Sequence, residues 1–175
     1  MKRIILITLL AAGVLSTTAG PAFAGAKEDK VKTAFLYNFT KFIQWPESGD
    51  TFTVGIVGDD AFASVVSGVI DGKPAAGGAI AVKTYPAGAG VDELKQCRIV
   101  YFGDSEAGRV GDVVEPLAAA NVLTVGHVDG FAGKGGMVGF LVSDKVTFEL
   151  NKKVIDDTQL KVSAKLFQLA KRLIQ

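Results

Sequence analysis

The chain has 175 residues, a formal net charge of +1, one Cys and one His, so its length fits a single domain. Nineteen basic against eighteen acidic residues exclude a strongly charged binder of nucleic acid, and 49% hydrophobic residues exclude a disordered chain. The single Cys excludes an internal disulfide framework, and the single His excludes any site that needs two imidazoles.

The first 24 residues have the composition of a secretory signal peptide. Lys2 and Arg3 form a short basic head, residues 4–15 are an apolar run, and Ala22-Phe23-Ala24 ends the segment. A twelve-residue apolar run is too short, as a helix, to cross a bilayer core of about 30 Å. We therefore expect cleavage after Ala24 and a periplasmic mature chain, residues 25–175, that forms one domain and does not insert into the membrane.

The first half of the mature chain predicts a helix followed by alternating strands and helices. Apolar residues recur at helical spacing on one face of a first helix over 27–45, which is apolar on its other sides too and must be covered there. A β-rich run over 51–57 precedes a short helix over 61–70 and a strand over 80–84.

The second half continues the alternation and ends in a hairpin and a helix. Its predicted elements are strands over 97–102 and 121–125, a helix over 106–120, a hairpin over 135–142 and 146–150, and a helix after Ser163 with Val162, Leu166, Leu169, Ala170 and Ile174 on its apolar face. The whole pattern predicts an α/β fold, with a mainly parallel (mixed) sheet covered by helices and an antiparallel hairpin near the C-terminus.

The sequence contains only weak matches to motifs for nucleotide binding or catalysis. The glycine-rich stretch at 68–74 has the wrong spacing for a Walker loop and ends in Pro74, and that at 133–139 lacks the last Gly of a dinucleotide fingerprint. Ser105 is not in a nucleophile elbow, so a hydrolase built on Ser105 and His127 is the weakest interpretation. Cys97 begins an apolar strand and is expected to be a buried structural thiol. We expect no catalytic residue, cofactor or metal.

Polar residues follow three of the strands that are predicted to be parallel. In an open α/β sheet, the ligand crevice lies outside the carboxyl ends of the strands, so these residues could converge there. Because loops are also polar simply through contact with water, the alternative is that they bind nothing specific. The candidate ligand-binding residues are Asp59, Asp60, Asp104, Ser105, Glu106 and His127.

Five strings in a fixed order resemble the YfiR family of small periplasmic proteins. They are VKTAFLYNFTKFIQWP (31–46), FTVGIVGDDAF (52–62), CRIVYFGDSE (97–106), VLTVGHVDGFAGKGGMVGFL (122–141) and VTFELNKKVIDDTQLKVSAKLFQLAKRL (146–173). The resemblance spans nearly the whole mature chain. It implies an α/β domain without catalysis, commonly a homodimer, that binds the periplasmic sensor region of an inner-membrane diguanylate cyclase of the YfiN type and represses cyclic di-GMP synthesis.

The resemblance also implies a second partner and exposes two departures. An outer-membrane lipoprotein of the YfiB type can sequester such a regulator and relieve repression. Family members often carry further Cys in disulfides, whereas this chain has only Cys97, which leaves at most a bridge between subunits. The family's Ser-Ser-Lys-Leu-Leu string in the last helix is here Ser163-Ala164-Lys165-Leu166-Phe167.

The first helix is the predicted contact surface, because it is more apolar than one core face requires. Aromatic residues commonly anchor interfaces; the alternative is that this helix is sandwiched inside its own domain. The candidate contact residues are Leu36, Tyr37, Phe39, Ile43 and Trp45. We therefore expect a non-enzymatic periplasmic regulator that binds a membrane-bound cyclase or kinase sensor domain, with a small-ligand sensor or carrier as the alternative.

Overall fold

A computed structural model describes residues 21–46 and 49–175. The predicted signal peptide, residues 1–24, lies outside the described residues except for its last four, which form the start of the first helix. No helix among the described residues is long and apolar enough to cross a membrane.

The strands form one large sheet and one small sheet. The strands are β1 (Ile43–Gln44), β2 (Thr51–Val57), β3 (Pro74–Ala75), β4 (Gly78–Tyr85), β5 (Ile99–Phe102), β6 (Leu123–Gly126), β7 (Val138–Val142), β8 (Val146–Asn151), β9 (Lys161–Val162) and β10 (Arg172–Ile174). The large sheet has the order β10-β8-β7-β6-β5-β2-β4-β3, and β1 pairs with β9. In the described large sheet, only β7–β8 and β3–β4 are antiparallel, which confirms the predicted mixed, mainly parallel sheet and its hairpin.

Helices cover both faces of the large sheet. The α-helices are α1 (Pro21–Phe42), α2 (Asp60–Ile70), α3 (Val91–Leu94), α4 (Val110–Ala119), α5 (Lys152–Asp156) and α6 (Ala164–Leu169), and short 3-10 turns occupy Asp104–Glu106 and Ala132–Lys134. Alternate residues of β5 divide the core: Ile99 and Tyr101 pack with the side chains of α1 and α2, whereas Val100 and Phe102 pack with those of α3 and α4. The domain is therefore a three-layer α/β/α arrangement.

The first helix ends earlier than its apolar pattern predicts. Helix α1 stops at Phe42, and Ile43 and Gln44 are extended because they pair with Val162 and Lys161. The backbone N–H of Ser163 donates to the Phe42 carbonyl at 2.9 Å, which satisfies one of the carbonyls left open at the end of the helix. Apolar spacing alone does not distinguish these last residues from helix, because their partner strand lies over a hundred positions away in sequence.

The predicted C-terminal helix is wrong beyond its first two turns. Helix α6 ends at Leu169, and β10 then runs parallel to β8, with the N–H of Lys171 donating to the Phe148 carbonyl at 2.8 Å. Ile174 therefore belongs to a strand, and Leu169 is 54% exposed and not on a buried helical face. The predicted helix over 106–120 is likewise shorter, since α4 begins at Val110 after a 3-10 turn.

Candidate functional site

Three neighbouring parallel strands end side by side at one edge of the sheet. Val57 at the end of β2 is in register with Phe102 at the end of β5, and Phe102 with Gly126 at the end of β6. The residues that follow these strands bring Asp59, Asp104 and His127 to this edge. This is the position at which open α/β sheets place their ligands.

Two glycines let the loops after β2 and β5 pack closely. Gly58 has a φ of +68°, and its carbonyl accepts a hydrogen bond from the Ser105 hydroxyl at 3.0 Å. The N–H of Gly103 donates to the Val57 carbonyl at 2.9 Å, and a Cβ at Gly103 would lie only 2.9 Å from the Cβ of Asp59. Glycine at both positions therefore keeps Asp59 and Ser105 in adjacent loops.

Asp59 has a structural role that sequence reasoning missed. Its Oδ1 accepts a hydrogen bond from the Phe62 N–H at 3.0 Å, so Asp59 is the N-cap of α2. Asp60 follows in the first turn and is exposed. One oxygen of Asp59 is thus committed to the helix.

His127 lies between two carboxylates from different elements. Its Nδ1 is 3.7 Å from Asp104 Oδ1, and its Nε2 is 3.9 Å from Glu28 Oε1 on α1. Both distances exceed a normal hydrogen bond. Lys32, whose side chain is 4% exposed, places its Nζ 2.5 Å from Glu28 Oε1 and 4.0 Å from Asp29 Oδ1. The strand-end cleft is defined here as Glu28, Asp29, Lys32, Asp59, Asp104 and His127.

Tyr101 is buried beneath this cleft. Its side chain, on β5, is 1% exposed, and its ring centroid is 4.4 Å from that of Phe62. Burial raises the pKa of its hydroxyl, and the negative charges of Asp59, Asp104, Asp29 and Glu28 raise it further. The Tyr101 hydroxyl therefore stays protonated.

The N-terminal half of α1 contributes further charged residues to this edge. No motif in the sequence singles out Glu28, Asp29 or Lys32. These residues come close to His127 only because α1 packs across this edge of the sheet. Burial raises the pKa of Asp29, while the positive charge of Lys32 opposes that rise. In the sequence, acidic residues near the predicted start of a helix indicate only that they stabilise its N-terminus, so they do not indicate a site.

Glu106 lies close to Gly58 but is committed to contacts inside the domain. It is 1% exposed, its Oε1 accepts a hydrogen bond from the Gly88 N–H at 2.9 Å, and its Oε2 lies 3.2 Å from Arg109 Nη1. Arg109 in turn donates to the Ala89 carbonyl at 2.8 Å. These bonds make Glu106 an anchor for the loop between β4 and α3.

The arrangement offers little to the hydrolase and metal interpretations. The Ser105 hydroxyl donates to Gly58, whereas His127 contacts Asp104 and Glu28, so the structure does not join Ser105 to His127. Among the described residues, no group of three or more His, Cys, Asp or Glu side chains is arranged to hold a metal ion.

The five candidate contact residues divide between core and surface. Leu36, Phe39 and Ile43 are 0–2% exposed and belong to the core, so they have no contact area to offer a partner in the folded domain. Trp45 is half-buried, and its Nε1 donates to the Arg98 carbonyl at 3.1 Å. Tyr37 is also half-buried.

Tyr37 lies between two lysines at the surface. Lys41 Nζ is 4.1 Å and Lys73 Nζ 5.2 Å from the centroid of its ring, within the range of cation–π contacts. Tyr37, Lys41 and Lys73 together are called the α1 patch. This patch combines an aromatic ring with two positive charges, a composition that suits a negatively charged partner surface.

Cys97 is buried at the base of β5. It is 3% exposed, its Sγ is 3.5 Å from the Tyr85 hydroxyl, and burial raises the pKa of its thiol. A buried, protonated thiol is a poor candidate for a bridge between subunits.

The fold and the site define a class of protein: a three-layer α/β domain with a cluster of polar side chains at the carboxyl ends of parallel strands. Comparison with known families matches residues 29–171 to the YfiR/HmsC-like family. The chain therefore belongs to the YfiR/HmsC-like family. This family is regulatory and periplasmic, and it is not known for catalysis.

A solved structure shares the fold at low sequence identity. The chain is similar to an ABC domain from Streptococcus pneumonia, solved in complex with L-Trp, with a TM-score of 0.57 and 9% identity. The similarity covers 84% of this chain and 62% of that one, so the present chain spans less than two thirds of the solved protein. Curated proteins provide no match.

Proposed function

We propose that this protein is a non-enzymatic periplasmic regulator that binds the sensor region of an inner-membrane diguanylate cyclase and represses cyclic di-GMP synthesis. The observation that carries the proposal is the family match over residues 29–171, nearly the whole folded domain. The chemistry of the domain supports the same conclusion, because Ser105 and Cys97, its candidate nucleophiles, are respectively bound to a backbone carbonyl and buried.

Export to the periplasm is part of the proposal. Residues 1–24 serve as a signal peptide, and residues 25–175 are the mature domain, which acts as a homodimer. A basic head, an apolar run and the Ala22-Phe23-Ala24 end support this assignment. A lipoprotein of the YfiB type is a second partner that relieves repression.

The α1 patch and Trp45 are the surface that we assign to the cyclase. Tyr37 and Trp45 are the two candidate contact residues that are not fully buried, and Lys41 and Lys73 add positive charge beside Tyr37. An acidic segment of the sensor region would satisfy both lysines and cover the tyrosine ring. Repression then follows from holding the sensor region in one conformation.

Crosslinking in intact cells tests the binding step. A photocrosslinking residue at Lys41 should capture a membrane protein with a cyclase output domain, identified by mass spectrometry. The same photocrosslinking residue at Lys134, an exposed lysine in the 3-10 turn Ala132–Lys134, is the matched control and should capture none. Equal capture at both positions, or a partner without a signalling output, would contradict the proposal.

A second candidate function is the sensing of a small ligand at the strand-end cleft. The placement of Asp59, Asp104 and His127 at one sheet edge favours it. A ligand present at one hundred times its Kd should stabilise the domain by about 2.7 kcal/mol, a clear shift in thermal unfolding. A screen of metabolites and nucleotides without any shift would count against this candidate.

A further inference from the structure

Two exposed leucines lie four residues apart near the C-terminus. Leu169, the last residue of α6, is 54% exposed, and Leu173, the middle residue of β10, is 38% exposed. Strand β10 is the outermost strand of the large sheet, so among the described residues only β8 pairs with it. Large apolar side chains that remain exposed close together are a feature of surfaces that contact a partner or a membrane.

The side chain of Leu173 points to the side of the large sheet on which α6 lies. Leu173 is in register with Leu150 of β8, whose side chain belongs to the core cluster that also contains Leu166 of α6. Residues that lie opposite each other on neighbouring strands share a face of the sheet. Arg172, in register with Glu149, therefore points to the other face, where it is paired with that carboxylate.

Each of the two leucines is accompanied by an exposed lysine. Lys165 precedes Leu169 by four residues on α6, and Lys171 precedes Leu173 by two residues, so each lysine shares a face with one leucine. Among the described residues, neither lysine forms an ion pair. Residues 158–175 contain four basic residues and no acidic one. The four residues Lys165, Leu169, Lys171 and Leu173, called the C-terminal surface, are therefore both apolar and positively charged.

The fold holds the backbone of the C-terminal surface in place. The N–H of Lys171 donates to the Phe148 carbonyl at 2.8 Å, and Arg172 Nε donates to Glu149 Oε2 at 2.8 Å. Leu166, which is 1% exposed, attaches α6 to the core. Because the backbone is ordered before any contact is made, docking through this surface costs little conformational entropy.

A lipid surface with negative charge fits both properties of the C-terminal surface. Anionic headgroups attract lysine side chains, and leucine side chains can enter the boundary between headgroups and acyl chains. A second copy of the chain fits less well, because a two-fold contact would bring the same unpaired lysines together. We propose that the C-terminal surface docks the domain on the surface of a bilayer that contains anionic phospholipid, without crossing that bilayer.

Cosedimentation of the purified mature protein with vesicles tests the proposal. Vesicles of phosphatidylethanolamine and phosphatidylglycerol should bind the protein at low salt, and vesicles of phosphatidylcholine alone should bind it at least about tenfold more weakly. Raised salt should release the protein, because salt screens the lysine charges. The proposal goes beyond the proposed repression of a cyclase, and these vesicles contain no cyclase, so the two ideas can fail separately.

Charge reversal locates the lipid contact. Lys165→Glu combined with Lys171→Glu should weaken binding to the anionic vesicles at least about tenfold. The matched control, Lys134→Glu combined with Lys145→Glu, makes the same change in net charge at exposed positions elsewhere and should weaken binding less than about threefold. All four side chains are exposed, so both variants should fold as the wild type does, which thermal unfolding checks.

Removal of an exposed leucine tests the apolar part of the contact. Leu169→Ser should weaken binding to the anionic vesicles about threefold to tenfold, because its apolar area no longer leaves water on docking. Val69→Ser, at a position of α2 that is 37% exposed, is the matched control and should leave binding unchanged.

Four results would each overturn the proposal. They are absence of binding to the anionic vesicles, equal binding to phosphatidylcholine vesicles, equal loss of binding in the surface and control charge variants, and unchanged binding of Leu169→Ser. A dimer in analytical ultracentrifugation that Leu169→Ser dissociates, with unchanged binding to vesicles, would assign the C-terminal surface to a second copy instead.

Discussion

The ring of Phe131 lies directly against the backbone of Gly136, where a Cβ atom would be 2.1 Å from Cε1. The same ring also lies against Gly126, where a Cβ atom would be 2.3 Å from Cδ2 of Phe131. Phe131 is 1% exposed and packs against Phe102 with ring centroids 5.8 Å apart. Two glycines thus make the space in which one aromatic ring fixes the loop between β6 and β7.

Gly136→Ala should destabilise the domain by about 1–3 kcal/mol, because the methyl group forces Phe131 out of its place. Chemical denaturation measures the change. Gly68→Ala is the matched control: its position is exposed in α2, a Cβ there meets nothing within 4 Å, and alanine should stabilise the helix by about 0.5–1 kcal/mol. Similar stability changes of the same sign in both variants would contradict the packing of Phe131.

The ion pair between Glu149 and Arg172 attaches the last strand to the sheet. Glu149 is 1% exposed, and its Oε2 accepts a hydrogen bond from Arg172 Nε at 2.8 Å. Arg172→Ala leaves the buried carboxylate without its partner and should cost about 1–3 kcal/mol, less than a fully buried pair because the arginine side chain is 63% exposed.

A double variant isolates the charge. Glu149→Gln combined with Arg172→Ala removes both charges and should recover part of the stability that Arg172→Ala alone loses. Urea denaturation of the wild type, Glu149→Gln, Arg172→Ala and the double variant gives the coupling energy between the two side chains. Strictly additive effects would show that the two side chains do not interact.

The stability of the protein should depend on pH through Asp29. Burial raises its folded pKa above the ordinary value of 3.8, so folding favours the protonated carboxyl. The contribution of Asp29 to the free energy of unfolding is therefore fully present at a pH below its ordinary pKa of 3.8. This contribution is lost as the pH rises through the pKa of Asp29 in the folded protein. Asp29→Asn should be at least as stable as the wild type near pH 7, and the difference should shrink on acidification.

Urea denaturation of the wild type and Asp29→Asn at several pH values checks this sign. Lys32 Nζ, 4.0 Å from Asp29, opposes the effect, because removal of the carboxylate also removes this attraction. If Asp29→Asn is less stable than the wild type at neutral pH and approaches it in acid, the ion pair outweighs burial and the predicted sign is contradicted.

The thiol of Cys97 should be unreactive in the folded protein. Burial raises its pKa, so the thiol remains protonated at mildly alkaline pH, and only 3% of the residue is exposed. A colorimetric thiol reagent should label the protein only after denaturation. Rapid labelling of the native protein, or a disulfide-linked dimer on non-reducing gels, would contradict this environment.

The sequence predicts the repetitive part of the fold better than its ends. The strand at 51–57 and the hairpin around 143–145 carry local signals, so both are confirmed. The short strands β1 and β9 have no such signal, because each is stabilised by the other across the chain. The apolar spacing of the residues in β10 also fits a helical face, so the sequence predicts helix there. Only the pairing of these residues with β8 makes them a strand.

The candidate site was predictable in position but not in composition. Because polar residues follow the ends of three strands, the sequence predicts that Asp59, Asp104 and His127 lie at one edge of the sheet. The register of β2, β5 and β6 brings these residues to that edge. Glu106 has the same sequence signal, yet it binds Gly88 and Arg109. Glu28 comes to the edge only through the packing of α1, which depends on the whole core.

The intracellular concentration of cyclic di-GMP tests the central claim most directly. A strain that lacks this gene should show a raised concentration of cyclic di-GMP. Expression of the full-length protein in that strain should return the concentration to the wild-type level. The Lys41→Glu variant should restore less than Lys134→Glu, its matched control. An unchanged cyclic di-GMP concentration after deletion, in a strain that contains a cyclase with a periplasmic sensor region, would contradict the proposed function.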